Sequence, residues 1–348
     1  MRTKIFSIII IILSALCICA CSQPAQKDKA DSAPAITHCE PLTEIKDGRK
    51  NIYLIVKVID SNYWQVVING AKAAGEELDC NVYYCGTNIE TDWKGQHLLV
   101  DEVLAKNPDA VILAPNDSVE LASDIDKVHA MGIPIVLIDT AANTESFDIC
   151  YMTDNLLAGQ NAAEEMISQL RQAGYSGNDN VSVGILVGYA QSMTINERLA
   201  GFYQYWSNHA PEKWIVISDI MNCNGDFELG KKITAEFLIQ HPELNGLYGT
   251  NNTPARALGA TIKKENRTDI TVVAFDYSDE IKTLVESPDY RVSTILQRQY
   301  DMGYSAVQST LDILDGNTPS IKFKDTGVVT VNKDTLSDPL IREVIEHN

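Results

Sequence analysis

Asn51–Leu78 constrains the fold more than any other stretch of this 348-residue chain. Ile52, Leu54, Ile55, Val56, Val58 and Ile59 form an apolar, β-branched run of the length of a buried strand. Asp60-Ser61-Asn62 breaks the run and Tyr63-Trp64 follow. From Val66 onward, Val67, Ala71, Ala74 and Leu78 recur at three or four residues, the spacing of one helix face. A strand feeding a helix opens a parallel α/β unit, and ligands sit at the loops leaving the carboxyl ends of such strands. Two large aromatics in that turn either plug the sheet top or offer a ligand a flat apolar face with a polar edge. Beside Ser61 and its polar neighbours, the pair reads as a ligand platform.

The same grammar recurs along the chain. Val82–Tyr84, Ala110–Leu113, Ile133–Ile138 and Asp148–Met152 read as strands, with helices over Trp93–Leu104 and Val119–Ala130. A second series follows a helix over Leu156–Leu170. Its strands are Val181–Val187, Trp214–Ile220, Leu244–Tyr248, Ile270–Phe275 and Arg291–Leu296, interleaved with helices. A final segment, Lys322–Val331, and a helix over Pro339–Glu346 close the chain. This alternation predicts an α/β protein with parallel sheets covered on both faces. No Pro/Ser linker divides the two series, so two lobes joined by several crossings are expected.

Met1–Ala20 reads as a signal peptide: Arg2 and Lys4, an apolar core over Ile5–Leu16, then small residues. The core is shorter than the roughly 20 residues that span a bilayer. Ile18-Cys19-Ala20-Cys21 resembles the lipobox of bacterial lipoproteins, which implies a diacylated Cys21 as the mature N-terminus. Two acyl chains hold a protein stably at a membrane. Residues 21–49, rich in Ala, Pro, Lys, Asp and Ser, then read as a flexible tether.

Charge excludes one class of partner. Net charge is −19, and with Arg2 and Lys4 set aside 26 basic residues face 47 acidic ones, −21. Such a surface repels phosphate backbones, so no nucleic acid is expected. The eight cysteines make no disulfide framework. Cys17, Cys19 and Cys21 lie near the N-terminus and Cys39 in the tether. Cys80, Cys85, Cys150 and Cys223 read as buried small residues on or beside strands. The six histidines are scattered, and both G-x-S-x-G and the P-loop pattern are absent, so neither metal, cofactor nor enzyme activity is expected.

From Lys50 to Val331 the chain resembles the periplasmic-binding-protein type 1 sugar receptors, in particular the ribose-binding-like branch. The resemblance rests on Tyr63-Trp64 with Gly70-Ala71, Ile133–Asp139, Thr153-Asp154-Asn155, Asn196–Phe202, Val272–Asp276 and Ile295-Leu296-Gln297, in the family's order and spacing. It implies two Rossmann-like lobes, 50–153 plus 298–325 and 154–297 plus 326–348, a hinge of three crossovers, and a solute in the cleft. It implies stacking of Tyr63 and Trp64 on a sugar ring, and hydroxyl bonding by Asp139, Asp276, Asn196, Asn251 and Gln297, with Lys57 at the cleft. Arg198 matches a structural arginine expected to brace its lobe through a salt bridge. As residues alone, Asp139 and Asp276 fit either helix caps or ligand acceptors. Asp154 fits a cap, and Gln297 fits either solute or hinge backbone.

The chemistry favours a monosaccharide or related polyol: aromatics cover the C–H face, and Asp, Asn and Gln satisfy hydroxyls. The expected protein is a monomeric, extracytoplasmic lipoprotein that delivers its solute to an ABC-type permease. The alternative receiver is a membrane sensor kinase, with a furanone signal, deoxysugar or nucleoside among the variant ligands. A glycosidase using Asp139 and Asp276 is the remaining enzymatic reading.

Overall fold

The computed structural model describes residues 38–190 and 192–347. The expected signal peptide, Cys21 and the tether as far as residue 37 lie outside the described residues.

The first series is β1 (Glu40–Pro41), β2 (Asn51–Val58), α1 (Asn62–Glu77), β3 (Asn81–Thr87), α2 (Trp93–Ala105), β4 (Ala110–Leu113), α3 (Ala122–Ala130), β5 (Ile135–Ile138) and β6 (Ile149–Met152). The second is α4 (Asn155–Gln172), β7 (Val181–Val187), α5 (Met193–His209), β8 (Trp214–Val216), β9 (Met221–Asn222), α6 (Phe227–Gln240), β10 (Gly246–Gly249), α7 (Asn252–Lys264), β11 (Thr271–Phe275), α8 (Asp279–Val285) and β12 (Arg291–Gln297). The chain ends with α9 (Gln299–Leu314), β13 (Phe323–Asp325), β14 (Val328–Val331) and α10 (Pro339–Glu346).

These strands form two sheets, one per lobe. Their orders are β1-β3-β2-β4-β5-β6-β13 and β14-β12-β11-β10-β7-β8, with β9 beside β7. The central strands are parallel throughout, while β1 and β14 run antiparallel at the edges. The chain passes between sheets three times: after β6, after β12, and between β13 and β14. The closing segment holds two strands, one in each lobe, with Gly327 between them at φ +79°.

Strand alternation divides each core. In the first lobe Ile52, Leu54 and Val56 pack under α1 and α9, while Tyr53 and Ile55 meet α2 and α3 on the other face. In the second, Val183, Ile185 and Val187 lie under α4 and α5, and Leu186, Leu247 and Val272 under α6, α7 and α8. Each such buried aliphatic contributes about 1.5–3 kcal/mol. Cys80 and Cys85 fall in cores on opposite faces.

Several boundaries differ from expectation. The strand expected over Trp214–Ile220 stops at Val216, and α3 begins at Ala122, not Val119. Two further differences bear on the first lobe. α1 begins at Asn62, not Val66, so Tyr63 and Trp64 stand on its first turn instead of in a loop. The end of the expected tether is docked: β1 pairs with β3, Thr43 is buried, and the Asn81 side chain bonds both N–H and C=O of Lys46. A short stretch with little apolar content can join a sheet edge through backbone bonds, which composition does not reveal.

Each lobe also has a helix pair held in backbone contact by reciprocal glycines. A Cβ on Gly70 would strike Tyr300 O, and one on Gly303 would strike Val67 O. In the second lobe Gly159 meets Arg198 O and Gly201 meets Leu156 O. Gly201→Ala is expected to destabilise the second lobe by about 1–3 kcal/mol, read as a lowered urea midpoint.

Candidate functional site

β5 and β11 hold equivalent places, each between two parallel neighbours: β4 and β6 in one lobe, β10 and β12 in the other. Each is followed by an aspartate with a left-handed backbone, Asp139 at φ +66° and Asp276 at φ +65°. Asp tolerates that conformation better than most residues. Both extend the ladder one step, Asp139 N–H donating to Tyr151 O (2.8 Å) and Asp276 N–H to Ile295 O (2.9 Å). Neither caps a helix. The caps with side-chain bonds include Asp154 on α4, which accepts from Leu157 N–H as expected.

Both aspartates line one cavity of about 760 Å³, with Lys57, Ser61, Tyr63, Trp64, Asn251 and Gln297. That volume falls in the range of small-molecule sites. Asn196 is not on its wall; it is exposed on α5, and the residues of that helix that line the cavity are Thr194, Ile195 and Arg198. Two residues along a helix swing the side chain about 200°, so only one of Asn196 and Arg198 can face the cleft.

Lys57 is 5% exposed near the end of β2, a costly place for a charge unless it is paired. Its Nζ lies 2.8 Å from Asp139 Oδ2 and donates to Thr140 Oγ1 at 2.7 Å. Asp139 also accepts from Thr140 Oγ1 (2.7 Å) and, on Oδ1, from Tyr63 OH (2.6 Å). Burial pushes the Asp139 pKa up, but the Lys57 ammonium and these two hydroxyl donors outweigh it and hold the carboxyl below its usual range. The Tyr63 hydroxyl is raised well above its ordinary value by burial and then by Asp139 and Asp276, so it remains a donor. Tyr63 and Trp64 meet edge to face at 4.9 Å and belong to the first-lobe core. They are plug and cavity wall at once.

Asp276 has a different environment. It is 3% exposed, and its Oδ1 accepts from Gln297 Nε2 at 2.9 Å. Burial raises its pKa to about 6; Arg198 and the Gln297 bond act against that, while Asp139 and Glu90 add to it. Gln297 is spoken for on its oxygen as well, accepting from Thr153 Oγ1 (2.9 Å) and Arg198 Nη2 (3.0 Å). It therefore bonds side chains across the crossovers, not hinge backbone. Arg198 further donates to Asn155 Oδ1 and Thr250 O, both at 2.9 Å, and lies 3.9 Å from the Phe275 ring centroid. Among the described residues no carboxylate comes within salt-bridge distance of it; its bracing is by neutral acceptors and a ring face.

Several wall residues were not anticipated, among them Glu90, Tyr189, Asn224 and the Arg256–Glu280 pair, whose Nη2–Oε1 distance is 2.9 Å. They lie in loops or on outer helix turns, where sequence periodicity carries no sign of direction. Gly188 has a clearer local reason: a Cβ there would collide with the Asn251 side chain.

The raised Asp276 pKa has a definite sign. The folded carboxyl holds its proton to about pH 6 against an unperturbed 3.8. Its contribution to stability is thus full below about pH 4 and is lost as pH rises through 6. Arg198→Met, which removes the charge opposing this shift, is expected to move the Asp276 titration above pH 6, read by carboxyl ¹³C NMR. It is also expected to destabilise the protein by about 2–3 kcal/mol by leaving buried acceptors unpaired.

Comparison with known proteins gives the same architecture. Residues 52–318 match the periplasmic binding protein domain model. The D-ribose/D-allose-binding protein of Pseudomonas aeruginosa is 23% identical over 300 residues, covering 84% of this chain and 90% of that protein. The ribose import binding protein of Bacillus subtilis is 26% identical over 232 residues, covering 66% and 70%. A carbohydrate transporter solute-binding protein from Agrobacterium radiobacter, solved with D-arabinose, superposes with a TM-score of 0.79 at 26% identity, over 86% of this chain and all of that one. With two parallel-sheet lobes, three crossings and a cavity flanked by strand ends of both lobes, the chain belongs to the periplasmic binding protein family, in its type 1 form.

Proposed function

We propose that this protein captures an uncharged monosaccharide in the cavity between its lobes and delivers it to an ABC-type permease. The observation that carries the reading is the pair of strand-end aspartates, one from each lobe, on the wall of one cavity with Tyr63 and Trp64. Asp276 has a partner on Oδ1 and, among the described residues, none on Oδ2, which leaves an acceptor for a sugar hydroxyl. The cations of the wall are committed: Lys57 to Asp139, Arg256 to Glu280, and Arg198 to amide and carbonyl oxygens. Asp60, Glu90, Asp226 and Asp279 add negative charge. A phosphate or carboxylate would meet repulsion there, whereas a polyol needs only hydrogen bonds and an apolar face.

Ribose, allose and arabinose appear in the names of the relatives, all neutral aldoses, and one relative is named for import, which favours a permease as receiver over a sensor kinase. Solute bridging residues 50–153 plus 298–325 and residues 154–297 plus 326–348 would favour a closed state by adding contacts to both lobes. Removal of residues 1–20 and acylation of Cys21 would keep the receptor beside its permease; Cys21→Ala is expected to release the protein from the membrane fraction.

Calorimetry with a panel of pentoses and hexoses tests the reading. Saturable heat with at least one free sugar is expected, and none with its phosphate ester. Asp276→Asn is expected to weaken that sugar about 10- to 100-fold. Because the ionised carboxyl is the acceptor, affinity in the wild type should fall as pH drops below 6, towards tenfold per unit. Absence of binding across the whole panel at pH 7.5 would overturn the proposal.

A further inference from the structure

Cys39 and Cys85 have no evident relation in the sequence, where one lies in the expected tether and the other on a strand. The fold sets them face to face. β1 pairs with β3 in the register Glu40 opposite Tyr84 and Pro41 opposite Tyr83. One step further along the ladder, Cys39 stands opposite Cys85. Leu42 N–H donates to Val82 O, which makes that couple a hydrogen-bonded pair. By alternation, 39 and 85 form a non-hydrogen-bonded pair, where opposed side chains come closest, with Cα atoms about 4.5 Å apart. That separation lies within the range a disulfide spans. The two Sγ atoms are already 2.6 Å apart as free thiols.

We propose that Cys39 and Cys85 form a disulfide in the exported protein, cross-linking the segment before the first lobe to the edge of its sheet. The site is built for it: Cys85 is fully buried in the core under α2, while Cys39 is half-buried and packs against that core from the edge. Contact with Cys39 and burial both raise the Cys85 thiol well above its ordinary pKa, so an oxidant engages Cys39 first. The oxidant required is a disulfide, of a small thiol or of an exchange protein. The Cys39 thiolate attacks one of its sulfurs and expels a thiolate. Cys85 gives its proton to water and attacks Cys39 Sγ, expelling the second thiolate. Two electrons and two protons leave the cysteine pair, and the oxidant departs as two thiols. An extracytoplasmic family places the pair where such disulfides persist.

The cross-link closes a loop that contains β2 and α1, the elements carrying Lys57, Tyr63 and Trp64. It restricts the unfolded chain and fixes β1, whose two residues alone make a weak edge strand. The three other described cysteines, Cys80, Cys150 and Cys223, lie buried and remain thiols.

The exported protein, recovered from both the membrane and the soluble extracytoplasmic fraction into an alkylating denaturant without reductant, provides the test by peptide mass spectrometry. A linked Cys39–Cys85 peptide pair is expected, with Cys80, Cys150 and Cys223 alkylated. Reductant should lower the Tm of the wild type by about 5 °C. Cys39→Ser should share that lower Tm, ignore reductant and keep its fold by circular dichroism. Alkyl label on both Cys39 and Cys85 in the extracted protein, or a wild-type Tm indifferent to reductant, would overturn the proposal.

Discussion

The Arg198 guanidinium is the fixed point of the structure. It joins the start of α4 through Asn155, the end of β10 through the Thr250 carbonyl, and the end of β12 through Gln297. The first and last of these flank two of the three crossings between lobes, while Thr250 lies at the strand ends of the second lobe. A buried guanidinium is tolerable only when its planar N–H fork is met by acceptors, and here carbonyl and amide oxygens meet it in that plane while Phe275 covers a face. Because the acceptors are neutral, the positive charge is not cancelled locally. It acts on Asp276, holding that carboxyl lower than burial alone would.

The two strand-end aspartates show how one backbone solution serves two electrostatic purposes. Both follow equivalently placed strands, β5 and β11, both adopt the left-handed region, and both continue the ladder by one bond. Their surroundings then diverge. Asp139 sits against the ammonium of Lys57 and two hydroxyl donors, so its charge is fixed and most of its acceptor capacity is used within the protein. Asp276 has an amide and a more distant cation, and its carboxylate is held less firmly ionised. One acid organises the wall; the other has partners on Oδ1 and, among the described residues, none on Oδ2.

The parallel α/β architecture was legible because buried strands announce themselves as apolar runs, and helices as three-to-four-residue spacing. Ile52–Val58 and Val67–Leu78 needed no tertiary information. Asp139 and Asp276 were legible as strand-end polar residues, and Lys57 through the family pattern. The choice between Asn196 and Arg198 was not, since both lie on one helix and only the docking of α5 on α4 decides which faces the cleft. Nor was the fate of residues 40–47, whose attachment runs through backbone bonds and Asn81 instead of an apolar face.

The sequence by itself determined that alternating strands and helices form two lobes, because burial periodicity is a local property of each segment. Only the tertiary structure decided which polar groups share a cavity, how Arg198 finds its acceptors across segments far apart in the chain, and that Cys39 meets Cys85. Those are consequences of strand register and helix docking, which depend on contacts between segments that no local pattern encodes.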